Sequence, residues 1–157
     1  MSPKRSYFSL YFGGLLLLVI CLLSSVRAEA PTVITPAEAY AKVKTGELLL
    51  IDVRTPAEWQ QSGIPEHALH INFRQEGGPA AFERAVLEAV KGDRNRPIAL
   101  ICASGNRSRQ AQQLLEQAGF TQVQDVSGGV MGRDSRTGWI HQGLPMVPCK
   151  DCGQSSQ

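Results

Sequence analysis

The sequence is short of several things, and each shortage excludes something. Of its 157 residues, four are cysteine and three are histidine. Aromatic residues make up 6%, and no block of lysine and arginine has aromatics interleaved with it. That absence argues against a nucleic-acid partner. The three histidines, His67, His70 and His141, are a thin supply for chemistry that needs an imidazole base. The first two flank a weak strand pattern and the third lies in a glycine-rich tail, so none stands out as the partner of a nucleophile. The longest apolar run, about Leu10 to Leu23, falls short of the roughly 20 residues that cross a bilayer.

That run has the form of an export leader. Lys4 and Arg5 precede it, and Val26-Arg27-Ala28 follows it with the residue sizes a signal peptidase accepts. Cleavage is expected after Ala28; cleavage after Ala30 would leave Pro31 at the first mature position. Ile20 before Cys21 argues against lipidation. The expected organisation is a signal peptide at 1–28, one domain at 29–148, and a tail at 149–157 carrying a Cys-x-x-Cys pair. The expected location is the periplasm, with a membrane involved only if the leader is retained. Removing the leader takes away Lys4, Arg5 and Arg27 and no acid, so the net charge falls from +2 to −1. The basic character of the whole chain therefore belongs partly to the leader. Three cysteines survive, Cys102, Cys149 and Cys152, and an odd number in an exported protein leaves one thiol free.

Two copies of Thr-Pro-Ala-Glu, at 35–38 and 55–58, each read as a helix start: threonine as N-cap, proline in the first turn, and glutamate closing a capping box. The first helix is expected to run to about Lys44 and the second from Pro56 to about Ser62. Between them, Leu48 to Val53 is apolar except for Asp52, which fits a strand buried on both faces. Residues 67–72 form a weaker strand pattern. A third helix spans Pro79 to Lys91, a further buried strand Ile98 to Cys102, a fourth helix about Arg107 to Ala118, and a last strand Val123 to Val126. From Ser127 to Pro148 the chain is glycine-rich and reads as mostly irregular. Strands alternating with helices predict an α/β domain with a mainly parallel sheet. In such sheets ligands bind beyond the carboxyl ends of the strands.

Cys102 sits at one of those ends. Ala103-Ser-Gly-Asn-Arg-Ser-Arg109 follows it, small and polar, and leads into a helix. A strand–loop–helix junction turns successive N–H groups inward, and the helix N-terminus adds partial positive charge. A thiol placed there is held toward the thiolate, which is the nucleophile. Gly105 can take a positive φ without steric cost. A cysteine that merely ends a buried strand has no use for such a loop. A phosphatase-type Cys-x5-Arg loop would put arginine at 108, where this chain has serine; its arginines are at 107 and 109. The shorter spacing favours a sulfur-centred anion.

These residues resemble the single-domain rhodanese family. Cys102-Ala-Ser-Gly-Asn-Arg-Ser108 matches its Cys-x-x-Gly-x-Arg-Ser, and Leu50-Ile-Asp-Val-Arg54 matches its Leu-Ile-Asp-Val-Arg. Glu58-Trp59 with Gly63 and Ala68, then Gly128-Gly129, Trp139 and Gly143-Leu-Pro145, resemble its later segments. The likeness runs from about residue 33 to 147. Two positions of the middle segment depart, at Ile64 and His67, and about six extra residues follow the double glycine. The resemblance implies a doubly wound α/β fold with a central five-stranded parallel sheet and helices on both faces. It implies a thiosulfate sulfurtransferase that works through a Cys102 persulfide, with no metal and no other cofactor. Ala103, Ser104, Gly105, Asn106, Arg107 and Ser108 would form the substrate-binding loop. Arg107, joined by Arg109, would attract a small anionic sulfur donor. Cyanide or a thiol would accept the sulfur, and Asp52 and Arg54 would support the loop.

Two rivals belong to other functional classes. One is a non-catalytic binding module of the same fold, and such modules commonly lack the cysteine. The other is a thiol-disulfide protein using Cys149 and Cys152 as a redox pair. That pair lies near a proline-rich end, in a tail after Pro148 that is expected to be mobile, where it also fits a small static disulfide. As zinc ligands, its nearest third candidate in sequence is His141, which argues against a metal site.

Overall fold

A computed structural model describes residues 32–150 and Cys152. The expected leader lies outside the described residues. Both predicted capping boxes form. Thr35 and Glu38 exchange backbone and side-chain hydrogen bonds at the start of α1 (Pro36–Thr45), and Thr55 and Glu58 do the same at α2 (Pro56–Ser62). α3 covers Gly78–Ala89 and α4 Asn106–Gln117. No helix of the described residues is long and apolar enough to cross a membrane.

The strands are β1 (Val33–Ile34), β2 (Leu49–Asp52), β3 (Ile64–Pro65), β4 (Leu69–His70), β5 (Ile98–Ile101), β6 (Val123–Val126) and β7 (Met146–Val147). Five of them make a wholly parallel sheet in the order β1-β6-β5-β2-β4. The hydrophobic pattern alone yields four of these. The fifth, β1, is only two residues long and precedes the first capping box. The weak strand pattern at 67–72 contracts to an exposed edge pair at 69–70, although Ile71 and Phe73 still donate to Asp52 and Val53 carbonyls.

Alternation along the strands fills both faces. Ile51, Val53, Ile98, Leu100 and Cys102 point to one side, where Phe82 and Val86 of α3 and Ala111 and Leu115 of α4 cover them. Leu50, Ala99, Ile101 and Val126 point to the other, where they meet Ala39 of α1 and Trp139. The fold is therefore the expected doubly wound α/β sheet. The segment after β6 is more ordered than its composition implies. It contains a short 3-10 turn at Ile140–Gln142 and the strand β7, which pairs antiparallel with β3. His67, where the resembled pattern has glycine, adopts φ +65°, a left-handed conformation that a non-glycine residue adopts only at a cost.

Trp139 locks this closing segment. It is fully buried, its Nε1 donates to the Pro145 carbonyl at 3.0 Å, and its ring meets Tyr40 edge-on. Trp139→Ala should cost about 3–5 kcal/mol of stability, read by urea unfolding; a cost below about 1 kcal/mol would mean that the segment is not part of the core.

Candidate active site

β5 is buried along its whole length, and Cys102, the next residue, is 1% exposed. The chain then turns at Gly105, which takes φ +91° and stands at the N-cap of α4. An L-residue with a side chain would resist that conformation. With no side chain capping this helix end, its first N–H groups are left to face the turn. The Gly105 N–H donates to Cys102 Sγ at 3.1 Å, and Ser108 Oγ lies 3.3 Å from the same sulfur. Of the expected loop, Ala103 to Ser108, it is Gly105 and Ser108 that reach the sulfur.

A second glycine turn supports the loop from behind. Val130 N–H donates to the Cys102 carbonyl and Met131 N–H to the Ala103 carbonyl. A Cβ on Gly129 would sit 2.3 Å from the Cys102 carbonyl oxygen. Glycine is required there by close approach of two backbones, which is the physical reason for the second glycine of the pair after β6.

Asp52 and Arg54 are both buried and pair with each other: Arg54 Nη2 meets Asp52 Oδ2 at 2.7 Å. Arg54 also donates to Ser62 Oγ and the Gly63 carbonyl, so it fastens the C-terminal end of α2 to the end of β2. The N-terminal end of α2 holds the loop. Arg107 donates through both terminal nitrogens to the two oxygens of Glu58, at 2.5 and 2.6 Å. Sequence reasoning gave Glu58 only a capping role and left Arg107 free for a donor. The structure gives Glu58 both tasks and offsets the charge of Arg107. Arg109 and Arg133 both donate to Asn106 Oδ1, so the extra residues after the double glycine reach back to the loop.

Asp125 went unrecognised in the sequence. It lies within β6, is 3% exposed, and accepts from Ser108 Oγ at 2.5 Å. The available signal was a carboxylate inside the predicted strand Val123 to Val126, and the structure buries all four of its residues.

Cys149 and Cys152 form a disulfide, and Cys102 is the free cysteine among the described residues. The expected mobile tail is corrected at Cys152. That residue is 3% exposed and its carbonyl accepts from Gln60 of α2. His70, not His141, is the third potential ligand. One of its ring nitrogens and the two sulfurs lie within 4.8 Å of one another, and the His70 ring packs edge-on against Trp59. With the two sulfurs bonded together, this set is not free to ligate.

Comparison with known proteins gives a consistent picture. Residues 35–133 match the model of the rhodanese-like domain. A sulfurtransferase of Allochromatium vinosum is 34% identical over 103 residues, covering 66% of this chain and 81% of that protein. A thiosulfate sulfurtransferase, GlpE, of Glaesserella parasuis is 28% identical over 118 residues, covering 75% and 94%. The match to a Zea mays adenylyltransferase and sulfurtransferase, 37% identical, takes in 55% of this chain and spans only 18% of that longer protein. Among solved structures, a protein of M. tuberculosis superposes with a TM-score of 0.60 at 29% identity, over 76% of this chain and 99% of that one.

The Glu58–Arg107 pair carries a pH signature. Chiefly through its hydrogen bonds with Arg107, the Glu58 carboxyl is lowered from its ordinary value of 4.5 to about 2. A lowered carboxylate stabilises the fold fully above 4.5 and loses that contribution as the pH falls toward 2. Glu58→Gln should therefore be less stable than the parent at pH 7, with the gap closing between pH 4.5 and 2. Thermal unfolding across that window checks it; a gap independent of pH would contradict the pairing.

Proposed function

The chain belongs to the rhodanese-like family of sulfurtransferases, and from that premise we propose that Cys102 carries sulfane sulfur from thiosulfate, or a similar anionic donor, to cyanide or a thiol. The observation that carries the reading is the Cys102 sulfur, which faces the Gly105 N–H and the Ser108 hydroxyl at the end of a buried strand. Those donors stabilise negative charge on sulfur both before and after it receives a second sulfur atom. The names of the relatives from Allochromatium vinosum and Glaesserella parasuis support the reaction class.

In the first half-reaction the thiolate attacks the outer sulfur of thiosulfate. A Cys102 S–S bond forms, the S–S bond of thiosulfate breaks, and its electron pair leaves with sulfite. In the second, cyanide or a thiolate attacks the outer persulfide sulfur and the Cys102 thiolate is released. No residue is asked to change oxidation state beyond this exchange. Cys102→Ser should abolish thiosulfate:cyanide sulfurtransfer while leaving the unfolding temperature close to that of the parent. Activity near the parent level would end the reading.

Arg107 serves donor binding through its pair with Glu58. Removing the guanidinium leaves the Glu58 carboxylate facing the loop without a counter-charge, and an anionic donor is then repelled. Arg107→Ala should raise KM for thiosulfate more than it lowers kcat; steady-state kinetics showing a large fall in kcat at unchanged KM would contradict this.

The same proposal places the enzyme in the periplasm, on the strength of the leader pattern at residues 4–28. The Cys149–Cys152 disulfide suits an oxidising compartment. The intact mass of the exported form should begin at Glu29; retention of residues 1–28 in a membrane fraction would replace the cleaved form by an anchored one.

A further inference from the structure

A buried carboxylate stands one hydroxyl away from the reactive sulfur, and the reaction as written gives it nothing to do. Asp125 Oδ1 is 2.5 Å from Ser108 Oγ, and Ser108 Oγ is 3.3 Å from Cys102 Sγ. All three residues are buried: Ser108 is fully so, Cys102 is 1% exposed and Asp125 3%. Each comes from a different element. Cys102 ends β5, Ser108 lies in the first turn of α4, and Asp125 is in β6, which pairs with β5. Ser108 has one proton and two acceptors in reach, so its hydroxyl can point to only one of them at a time.

We propose that Asp125 is a positioning residue that takes up the Cys102 thiol proton through the Ser108 hydroxyl, so that thiolate forms at the buried sulfur without releasing a proton to solvent. This deepens the reading of Cys102 as the sulfur-transfer nucleophile and rests on it. The step balances. The S–H bond of Cys102 breaks and its proton passes to Ser108 Oγ. Ser108 gives its own proton to Asp125 Oδ1. Thiol plus carboxylate becomes thiolate plus carboxylic acid, with one negative charge before and after. Keeping that count constant matters in a buried site, where a second uncompensated charge is costly.

The surroundings of Asp125 suit a proton acceptor. Burial pushes its carboxyl above the ordinary range, while the Ser108 hydrogen bond and the positive charges of Arg109 and Arg136 pull the other way. The neighbouring strands bring no other charge: β1 contributes Val33 and Ile34, and β5 is Ile98–Ile101. On the sulfur side the nearby charges are Arg107, offset by Glu58, and Asp52 beside the end of β5, offset by Arg54.

A carboxylate that acted only as a like charge near the sulfur would oppose thiolate formation, so the two roles have opposite signs. The test is a pH titration of the Cys102 thiolate by its ultraviolet absorbance in the full chain, taken as the difference from Cys102→Ser. Once protonated, Asp125 donates to Ser108 Oγ and leaves the Ser108 hydroxyl on the sulfur; Asp125→Asn, whose side-chain oxygen only accepts from Ser108, withdraws that donor from the thiolate and should move the midpoint upward by about one pH unit. Below the midpoint that is about a tenfold smaller thiolate fraction. Ser108→Ala should do the same, and the double variant should go no further than either alone. A midpoint that falls or stays in Asp125→Asn overturns the proposal.

A second measurement needs no substitution. Alkylating Cys102 removes the proton source, so the infrared difference spectrum at neutral pH should show loss of a protonated carboxyl band and gain of a carboxylate band. No carboxyl change would also overturn the proposal. Both readouts report the thiol itself, without any sulfur donor, so failure of sulfur transfer and failure of the relay are told apart.

Discussion

Everything at this site depends on one turn. At Gly105 the chain reverses from a buried strand into a helix, and the reversal brings a backbone N–H and a serine hydroxyl onto the sulfur of Cys102. A sulfur anion buried in an apolar sheet end would otherwise be costly. The turn supplies its solvation from fixed donors that need not reorganise when charge shifts between sulfur atoms. Anything but glycine at 105 would resist the backbone angle of this turn.

The rest of the molecule keeps that turn in place. Gly129 lets the chain after β6 pass against the Cys102 carbonyl, and the Val130 and Met131 N–H groups fasten the loop from below. α2 holds it from the side. One end of that helix is fixed to β2 through Arg54, and Glu58 at its other end grips Arg107. The Asp52–Arg54 pair never touches the sulfur, yet it sets where Glu58 stands. Its buried charges are tolerable because each hydrogen-bonding arm of Arg54 has a partner. Asp125 closes the arrangement from the β6 side through Ser108.

Much of this was legible in the chain. The two Thr-Pro-Ala-Glu boxes, the apolar runs at β2 and β5, and the strand–turn–helix around Cys102 read correctly because each is a local pattern with a local cause. What was hidden depends on distance in sequence. The two-residue strands β1, β3 and β7 exist only because a partner strand is waiting for them, so no periodicity announces them. Glu58 met Arg107 across 49 positions while also satisfying its capping role, and the local explanation masked the distant one. Asp125 sat in a strand that alternation alone would have called apolar, and only its contact with Ser108 gives it a reason. The disulfide ring found His70 rather than His141 because β4 runs beside α2, a fact of topology rather than of spacing.

The central claim is that the sulfur in transit rides on Cys102. The most direct measurement is peptide mass spectrometry under non-reducing conditions after brief exposure to thiosulfate and removal of the excess. The account predicts one added sulfur on the peptide that contains Cys102, lost again on addition of cyanide with formation of thiocyanate. An unmodified Cys102 peptide, or added sulfur found only on the peptide that contains Cys149 and Cys152, would contradict it.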